Sequence, residues 1–270
     1  MTQEAALHVL ARDPADTGIA TVIFVHGSLD RAESFRRVMR RLPELRTVAY
    51  DRRGYQGSRA AGVTDARGHI DDLLAIAGHE HSRSPERPVV AIGHSFGGTV
   101  VLGASLAAPQ AFDAIGAFEP PMAWLDDARR EGDDARRDGS PPAPFPDTAD
   151  PADQVARFFS RVVSAETWAR LSEEGRTSRL ADGPALVSDL KSVRSVRPMF
   201  DVRTLCVPAV FGRGGESSTA RHRQTVEWLG QHVPGATVYR IEAAGHGAHL
   251  SHPDQFAALT RQVVALARPS

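Results

Sequence analysis

The chain has one cysteine, no long apolar run and almost no net charge, and each of these absences excludes a class of protein. Among 270 residues, 32 Lys and Arg balance 33 Asp and Glu, so the formal net charge is −1. A single cysteine excludes an internal disulfide framework and a cysteine metal cluster. The balanced charge gives no electrostatic basis for binding nucleic acid or an anionic membrane surface.

No apolar run reaches transmembrane length, and the N-terminal region lacks a basic segment followed by a long apolar one. We therefore expect a cytoplasmic protein with no membrane partner. The hydrophobic content of 41% is enough to bury one large core. Cys206 stands in an apolar run between Leu205 and Val207, and we predict that it is a small core residue.

Apolar runs typical of buried strands alternate with segments of helical periodicity along most of the chain. Such an alternation predicts an α/β fold whose mostly parallel sheet is flanked by helices on both faces. The predicted strands lie at residues 8–11, 20–25, 47–50, 89–92, 114–118, 205–213 and 236–241. The predicted helices lie at residues 34–41, 65–81, 99–108, 219–232 and 254–267.

One segment, residues 122–200, interrupts this alternation because it contains no clear strand. It begins with a mixed-charge run at 126–138, predicted as a solvated helix face, and continues with a proline-rich stretch at 139–146. Helical patterns return at residues 155–163, 165–171 and 184–193. We predict an inserted helical cap at 122–200, over a core made of residues 1–121 and 201–270. The cap would cover the carboxyl edge of the sheet, where open α/β sheets bind ligands.

The sequence Gly-His-Ser-Phe-Gly at residues 93–97 follows a predicted strand and precedes a predicted helix. In this context the pattern G-x-S-x-G predicts a nucleophile elbow, a sharp turn that exposes the serine hydroxyl above the sheet. The flanking glycines are needed because the turn leaves no room for larger side chains. Ser95 is therefore the candidate nucleophile.

Four motifs in order resemble the α/β-hydrolase fold superfamily, in particular its capped, cofactor-free bacterial serine hydrolases. The first is His-Gly-Ser at 26–28, after an early strand. The second is Asp-Arg-Arg-Gly-Tyr-Gln-Gly-Ser at 51–58, similar to the family pattern D-x-R-G-x-G-x-S. The elbow is the third, and Ala-Gly-His-Gly at 244–247, before a final helix, is the fourth. The resemblance covers residues 22–118 and 205–267 and is weak in the predicted cap.

The resemblance implies a role for each motif. His246 would be the base that activates Ser95, because the family places its catalytic histidine last in chain order. The oxyanion hole would use the backbone N–H of Phe96 and that of Ser28, with Leu29 as the alternative to Ser28. His222 and His232, in a predicted helix and at its end, are interpreted as surface residues.

The acid of the triad departs from the family pattern. The family usually places it three residues beyond a glycine after the penultimate strand, and here that position is Ser217, which carries no charge. Glu216 is adjacent, but a one-residue shift on an extended loop reverses the direction of the side chain. Glu119 follows the strand after the elbow, and Pro120 should hold it in an extended conformation. We favour Glu119 as the partner of His246 and keep Glu216 as the alternative.

These residues predict an esterase-like serine hydrolase that cleaves a carboxylic ester, lactone or thioester through an acyl-enzyme. The substrate would be a small acyl compound, no metal or cofactor is required, and the protein would be a monomer or homodimer. Two alternatives share the scaffold. One is other triad chemistry, as in C–C hydrolases, lyases or perhydrolases, and the other is a non-catalytic ligand-binding protein.

Overall fold

A computed structural model of the chain describes residues 6–15, 18–125, 146, 150–194, 199–216 and 220–267. Its sheet has seven strands in the order β1-β3-β2-β4-β5-β6-β7. Strand β1 pairs antiparallel with β3, and all other neighbouring strands pair parallel. The strands are β1 (Val9–Arg12), β2 (Thr21–Val25), β3 (Arg46–Tyr50), β4 (Val89–His94), β5 (Ala114–Phe118), β6 (Ala209–Gly214) and β7 (Thr237–Ile241).

Every residue of β2, β3, β4 and β5 is buried, as expected for a parallel sheet covered on both faces. The helices of the core are α1 (Arg36–Met39), α2 (Ala66–Arg83), α3 (Phe96–Ala107), α8 (Ala220–His232), α9 (Ala248–Ser251) and α10 (Pro253–Leu266). Apolar residues of α2, α3 and α8 form one core cluster, and those of α1, α9 and α10 form a second. The predicted fold class is confirmed.

The helical insertion, by which we mean residues 150–194, lies between β5 and β6. It contains α4 (Pro151–Phe159), α5 (Ala165–Arg170), α6 (Glu173–Leu180) and α7 (Gly183–Val193), with a π-helical segment at Ser160–Ser164. Helix α6 was not among the predicted elements. The mixed-charge run at 126–138 and the proline-rich stretch, apart from Pro146, lie outside the described residues. The division into core and cap at 121/122 and 200/201 stays a prediction.

Three local predictions were wrong. The helix predicted over 34–41 is a 3₁₀ turn at Ala32–Phe35 followed by the short α1. The strand predicted from residue 205 begins only at Ala209, because Val202–Thr204 forms a 3₁₀ turn and Pro208 has no N–H to donate to a ladder. Cys206 therefore lies in the connection before β6 and is exposed, not in the core.

Three short 3₁₀ turns complete the connections, at Gln56–Ala61, Pro109–Ala111 and the Val202–Thr204 turn just described. The Gln56–Ala61 turn is part of the motif at 51–58. The carboxylate of Asp51 accepts hydrogen bonds from the N–H of Gly57 (3.0 Å) and of Ala32 (2.8 Å). The side chain thus fixes the loop after β3 to the loop after β2, both at the carboxyl edge of the sheet.

Candidate active site

Ser95 lies in a sharp turn between β4 and α3. Its backbone has φ 53° and ψ −127°, a conformation that costs energy in a residue with a side chain. The N–H of Ser95 donates to the carbonyl of Phe118 (2.8 Å), which ties the turn to the end of β5. Strand, turn and helix therefore stand in the order that the G-x-S-x-G pattern predicts.

The two glycines of this turn have no space for a side chain. A Cβ on Gly97 would lie 2.1 Å from the carbonyl oxygen of Val25, and a Cβ on Gly93 would lie 2.2 Å from the carbonyl oxygen of Gly97. Non-bonded atoms do not approach so closely, so a larger residue at either position must displace the backbone. Gly93 is required by the close backbone contact within the turn, and Gly97 by the packing of the turn against β2.

The loop after β2 runs beside Ser95. A Cβ on Gly27 would lie 2.9 Å from the Cβ of Ser95, so this loop is in direct contact with the predicted nucleophile. Phe96 is the first residue of α3, and an N–H at that position has no acceptor within its helix. Phe96 and the loop that contains Ser28 thus both lie next to Ser95, and their role as oxyanion donors stays a prediction.

His246 and Glu119 are hydrogen-bonded to each other. The distance between His246 Nδ1 and Glu119 Oε2 is 2.6 Å, and the other carboxylate oxygen, Oε1, accepts from the N–H of Gly214 (2.8 Å). Glu119 is completely buried and His246 is 8% exposed. Because Nδ1 faces the carboxylate, Nε2 is the ring nitrogen left to exchange a proton with a substrate or a hydroxyl.

A second contact fixes His246 relative to the elbow. His94, the residue before Ser95, donates from Nε2 to the carbonyl oxygen of His246 (2.7 Å). The histidine loop is thus connected to the elbow in two ways. The first connection is the hydrogen bond from His94, the neighbour of Ser95 in the sequence. The second is the hydrogen bond between His246 and Glu119, which follows Phe118, the acceptor of the Ser95 N–H.

The charges of this pair follow from its surroundings. Burial alone would raise the pKa of Glu119, but hydrogen bonds from His222 and His246 hold it well below its usual value. Burial lowers the pKa of His246, and the hydrogen bond to Glu119 offsets only part of this effect. Glu119 is therefore ionised and His246 neutral near pH 7, which is the state that a general base requires.

The backbone of Glu119 differs from the prediction. We expected an extended conformation before Pro120, whereas Glu119 has φ 47°, in the left-handed region. Its N–H donates to the carbonyl of Gly212 (2.9 Å), and both oxygens of its side chain are engaged. These contacts hold the residue in a conformation that it would otherwise avoid.

The alternative acid, Glu216, lies elsewhere. Its side chain is exposed, and its backbone N–H donates to the carbonyl of Ala244 (2.9 Å). Within the described part of the chain, no side-chain hydrogen bond joins Glu216 to His246. Ser217, the position that the family pattern assigns to the acid, lies outside the described residues.

His222 was interpreted as a surface residue, and this was wrong. Its Nδ1 lies 3.3 Å from Glu119 Oε2, and its ring stacks on that of His246 with centroids 4.3 Å apart and planes 12° apart. Only 18% of its side chain is exposed. The sequence gives no signal for this contact, because it depends on how α8 packs beside β6.

Three further ionisable side chains, those of Asp30, His94 and His249, lie close together next to the histidine loop. His249 Nε2 lies 3.1 Å from Asp30 Oδ2, and the rings of His249 and His94 have centroids 4.2 Å apart. Burial, followed by the neighbouring histidines, holds the pKa of His94 well below its usual value. His94 is thus neutral near pH 7, and its Nε2–H is the donor to the backbone carbonyl.

Two groups of side chains have the composition of a metal site. In each group, Glu119 with His222 and His246, and Asp30 with His94 and His249, the candidate ligand atoms lie within 4.8 Å of one another. Imidazole and carboxylate are common zinc ligands. In the first group, however, Nδ1 of His246 and Oε2 of Glu119 are hydrogen-bonded to each other.

A buried polar cluster connects the site to the helical insertion. Asp189 of α7 accepts two hydrogen bonds from the guanidinium of Arg52 (2.6 and 3.1 Å) and one each from the hydroxyls of Ser28 (2.7 Å) and Tyr55 (2.6 Å). The guanidinium also lies over the ring of Phe96, 4.9 Å from its centroid. Asp189 therefore contacts the loop that is predicted to supply an oxyanion donor.

His26 is the first residue of the loop after β2, the loop that contains Ser28. It is fully buried, accepts from the N–H of Arg52 (2.8 Å) through Nε2, and donates from Nδ1 to the carbonyl of Gly27 (2.7 Å). Burial lowers its pKa to about 3, so the ring is neutral. Its hydrogen bonds shape the backbone at Gly27 and Ser28.

The fold and this site define a class of protein. A family model described as "Alpha/beta hydrolase family" matches residues 22–259, and the chain belongs to that family. A curated relative, Lipase LipV of Mycobacterium tuberculosis, is 32% identical over 151 residues, which are 56% of this chain and 53% of the lipase. The match thus spans about half the length of that relative.

Solved structures show the same fold at low sequence identity. A lipase-esterase related protein from Clostridium acetobutylicum superposes with a TM-score of 0.69 at 16% identity, covering 96% of this chain and 100% of the other. The enol-lactonase from Burkholderia xenovorans superposes with a TM-score of 0.68 at 15% identity, covering 96% of each chain. Among the described residues, no helix is both long enough and apolar enough to cross a bilayer.

Proposed function

We propose that the protein is a serine hydrolase that cleaves a carboxylic ester, lactone or thioester with a triad of Ser95, His246 and Glu119. The observation that carries the proposal is the 2.6 Å hydrogen bond between His246 and Glu119. Glu119 directly follows β5, and the backbone N–H of Ser95 donates to the last carbonyl of that strand, at Phe118. The relatives support this substrate class, since they include proteins named as a lipase and an enol-lactonase.

In the proposed first half-reaction, the Oγ of Ser95 attacks the carbonyl carbon while its proton passes to Nε2 of His246. The ionised Glu119 stabilises the imidazolium that forms and keeps the ring in one orientation. The N–H groups of Phe96 and Ser28 stabilise the negative oxygen of the tetrahedral intermediate. His246 then gives its proton to the leaving alcohol or thiol, and Ser95 keeps the acyl group.

In the second half-reaction, water attacks the acyl-enzyme by the same route and releases the acid. His246 must be neutral to accept a proton in either step. Activity should therefore fall as the pH drops through the pKa of this histidine, which burial lowers from its usual value.

The test is the hydrolysis of p-nitrophenyl butyrate by wild type and by Ser95→Ala. Loss of the nucleophile should lower kcat/KM by at least about 10³-fold while the folded state is retained. Ser82→Ala, an exposed serine on α2, is the matched control and should keep wild-type activity. Equal turnover by wild type and Ser95→Ala would exclude the proposed nucleophile.

A further inference from the structure

The loop after β2 has a strained backbone at one position. Leu29 has φ 56°, in the left-handed region that residues with a side chain usually avoid. Gly27, two residues earlier, is in contact with Ser95, so the strain lies close to the predicted nucleophile. A conformation of this kind persists only where the surrounding contacts impose it. The contacts that hold Leu29 therefore also fix the geometry of the loop beside Ser95.

Two polar side chains of the helical insertion contact this part of the loop. Asp189 of α7 accepts a hydrogen bond from the hydroxyl of Ser28 (2.7 Å) through Oδ2. Arg179 of α6 donates from Nη1 to the carbonyl oxygen of Leu29. Leu29 itself is 5% exposed and packs in an apolar cluster with Leu186 of α7. The conformation of residues 28 and 29 thus depends on contacts from two helices of the insertion.

Asp189 is itself held in a fixed position. Its carboxylate accepts two hydrogen bonds from the guanidinium of Arg52 (2.6 and 3.1 Å) and one from the hydroxyl of Tyr55 (2.6 Å), and all three side chains are buried. Burial alone would raise the pKa of Asp189, but the charge of Arg52 holds it well below its usual value. Asp189 is therefore an ionised and rigid acceptor for the hydroxyl of Ser28, and hydrogen bonds to an ionised acceptor are strong.

We infer that Asp189 and Arg179 are positioning residues for the oxyanion hole. They hold Ser28 and Leu29, whose N–H groups are the two candidates for its second donor, in one conformation beside Ser95. The inference rests on the proposed function, because an oxyanion forms only if Ser95 attacks a carbonyl group. Donors fixed in advance stabilise the oxyanion without reorganising as the charge develops. A loosened loop should therefore slow the chemical step and leave the binding of the substrate unchanged.

The test uses Ser28→Ala and Arg179→Met, which each remove one contact and keep the backbone N–H groups. Ser28→Ala breaks the contact with Asp189 without leaving Arg52 buried beside a neutral partner. In both variants kcat for p-nitrophenyl butyrate should fall about 10- to 100-fold, since a displacement of about 1 Å can cost about 10²-fold in rate. KM should stay nearly unchanged, because the lost interaction is made only in the transition state.

Each test variant has a matched control. Ser188→Ala removes another hydrogen bond between α7 and the core, to the carbonyl of Thr64 (2.8 Å), which lies outside the loop after β2. Arg176→Met, on the same helix as Arg179, removes a guanidinium whose hydrogen bond to Ala169 (3.5 Å) stays within the insertion. Both controls should keep the wild-type kcat. An unchanged kcat in either test variant, or an equal fall in the controls, would overturn the inference.

The backbone ¹⁵N order parameters of residues 28 and 29 provide a readout that needs no turnover. They should fall from about 0.85, the value of a rigid backbone, toward about 0.6 in both test variants and stay unchanged in both controls. A wild-type protein that hydrolyses no ester would refute the proposed function, and the order parameters would still decide whether the two side chains hold the loop. Unchanged order parameters in the test variants would overturn the inference with or without esterase activity.

Discussion

At the scale of single residues, Glu119 is the most constrained side chain of the site. It is fully buried, its backbone is in the left-handed region, and its two oxygens accept from different elements. Its position after the strand that follows the elbow led us to favour it as the partner of His246, and its role as the triad acid stays a prediction. Its conformation was not predictable, because the preference imposed by Pro120 is weaker than the sum of these contacts.

The role of Glu119 can be tested by Glu119→Gln, with the exposed Glu216→Gln as the matched control. Glutamine keeps the size of the side chain but cannot stabilise an imidazolium, so kcat should fall on the order of 10⁴-fold. Glu216→Gln should keep wild-type kcat. Steady-state hydrolysis of p-nitrophenyl butyrate measures both, and the opposite pattern would transfer the acid to Glu216.

Other single residues mark the limits of sequence interpretation. Cys206 has apolar neighbours in the sequence but is exposed, because the strand begins three residues later. His222 shows no pattern that distinguishes it from a surface histidine, yet it contacts Glu119. In both cases the outcome depends on tertiary contacts that hydrophobic periodicity does not encode.

At the scale of elements, the elbow was predictable because its glycines have a local cause. Gly93 and Gly97 are required by close backbone contacts within a few residues of the turn and against β2. The link between α7 and the core has no such local cause. Asp189 and Arg52 are far apart in sequence, and only the packed structure shows that they form a buried ion pair.

This ion pair should anchor the helical insertion to the core. Asp189→Asn leaves the guanidinium of Arg52 buried without a counter-charge, and breaking such a pair typically costs about 3–5 kcal/mol. Urea denaturation should show a loss of this size in the free energy of unfolding. The exposed pair of Arg67 and Asp71 on α2 provides the control, because Asp71→Asn should leave stability nearly unchanged. Equal stability of Asp189→Asn and wild type would show that the link has no anchoring role.

At the scale of the whole molecule, the alternation of strands and helices was sufficient to predict the sheet and its covered faces. The order of the strands also puts the candidate site residues at one edge of the sheet. Ser95 follows β4, Glu119 follows β5 and His246 follows β7, and the carboxyl ends of parallel strands share one edge of a sheet. The substrate and the oligomeric state stay predictions, because they depend on the insertion and on surfaces whose patterns are not periodic.

The central claim is that Ser95 is activated as a nucleophile by the His246–Glu119 pair. The most direct measurement is covalent labelling with a fluorophosphonate, followed by mass spectrometry of the intact chain and its peptides. The account predicts one label per chain, located on Ser95, and none on folded Ser95→Ala. A folded wild-type protein that takes up no label, or that carries it on another residue, would contradict the account.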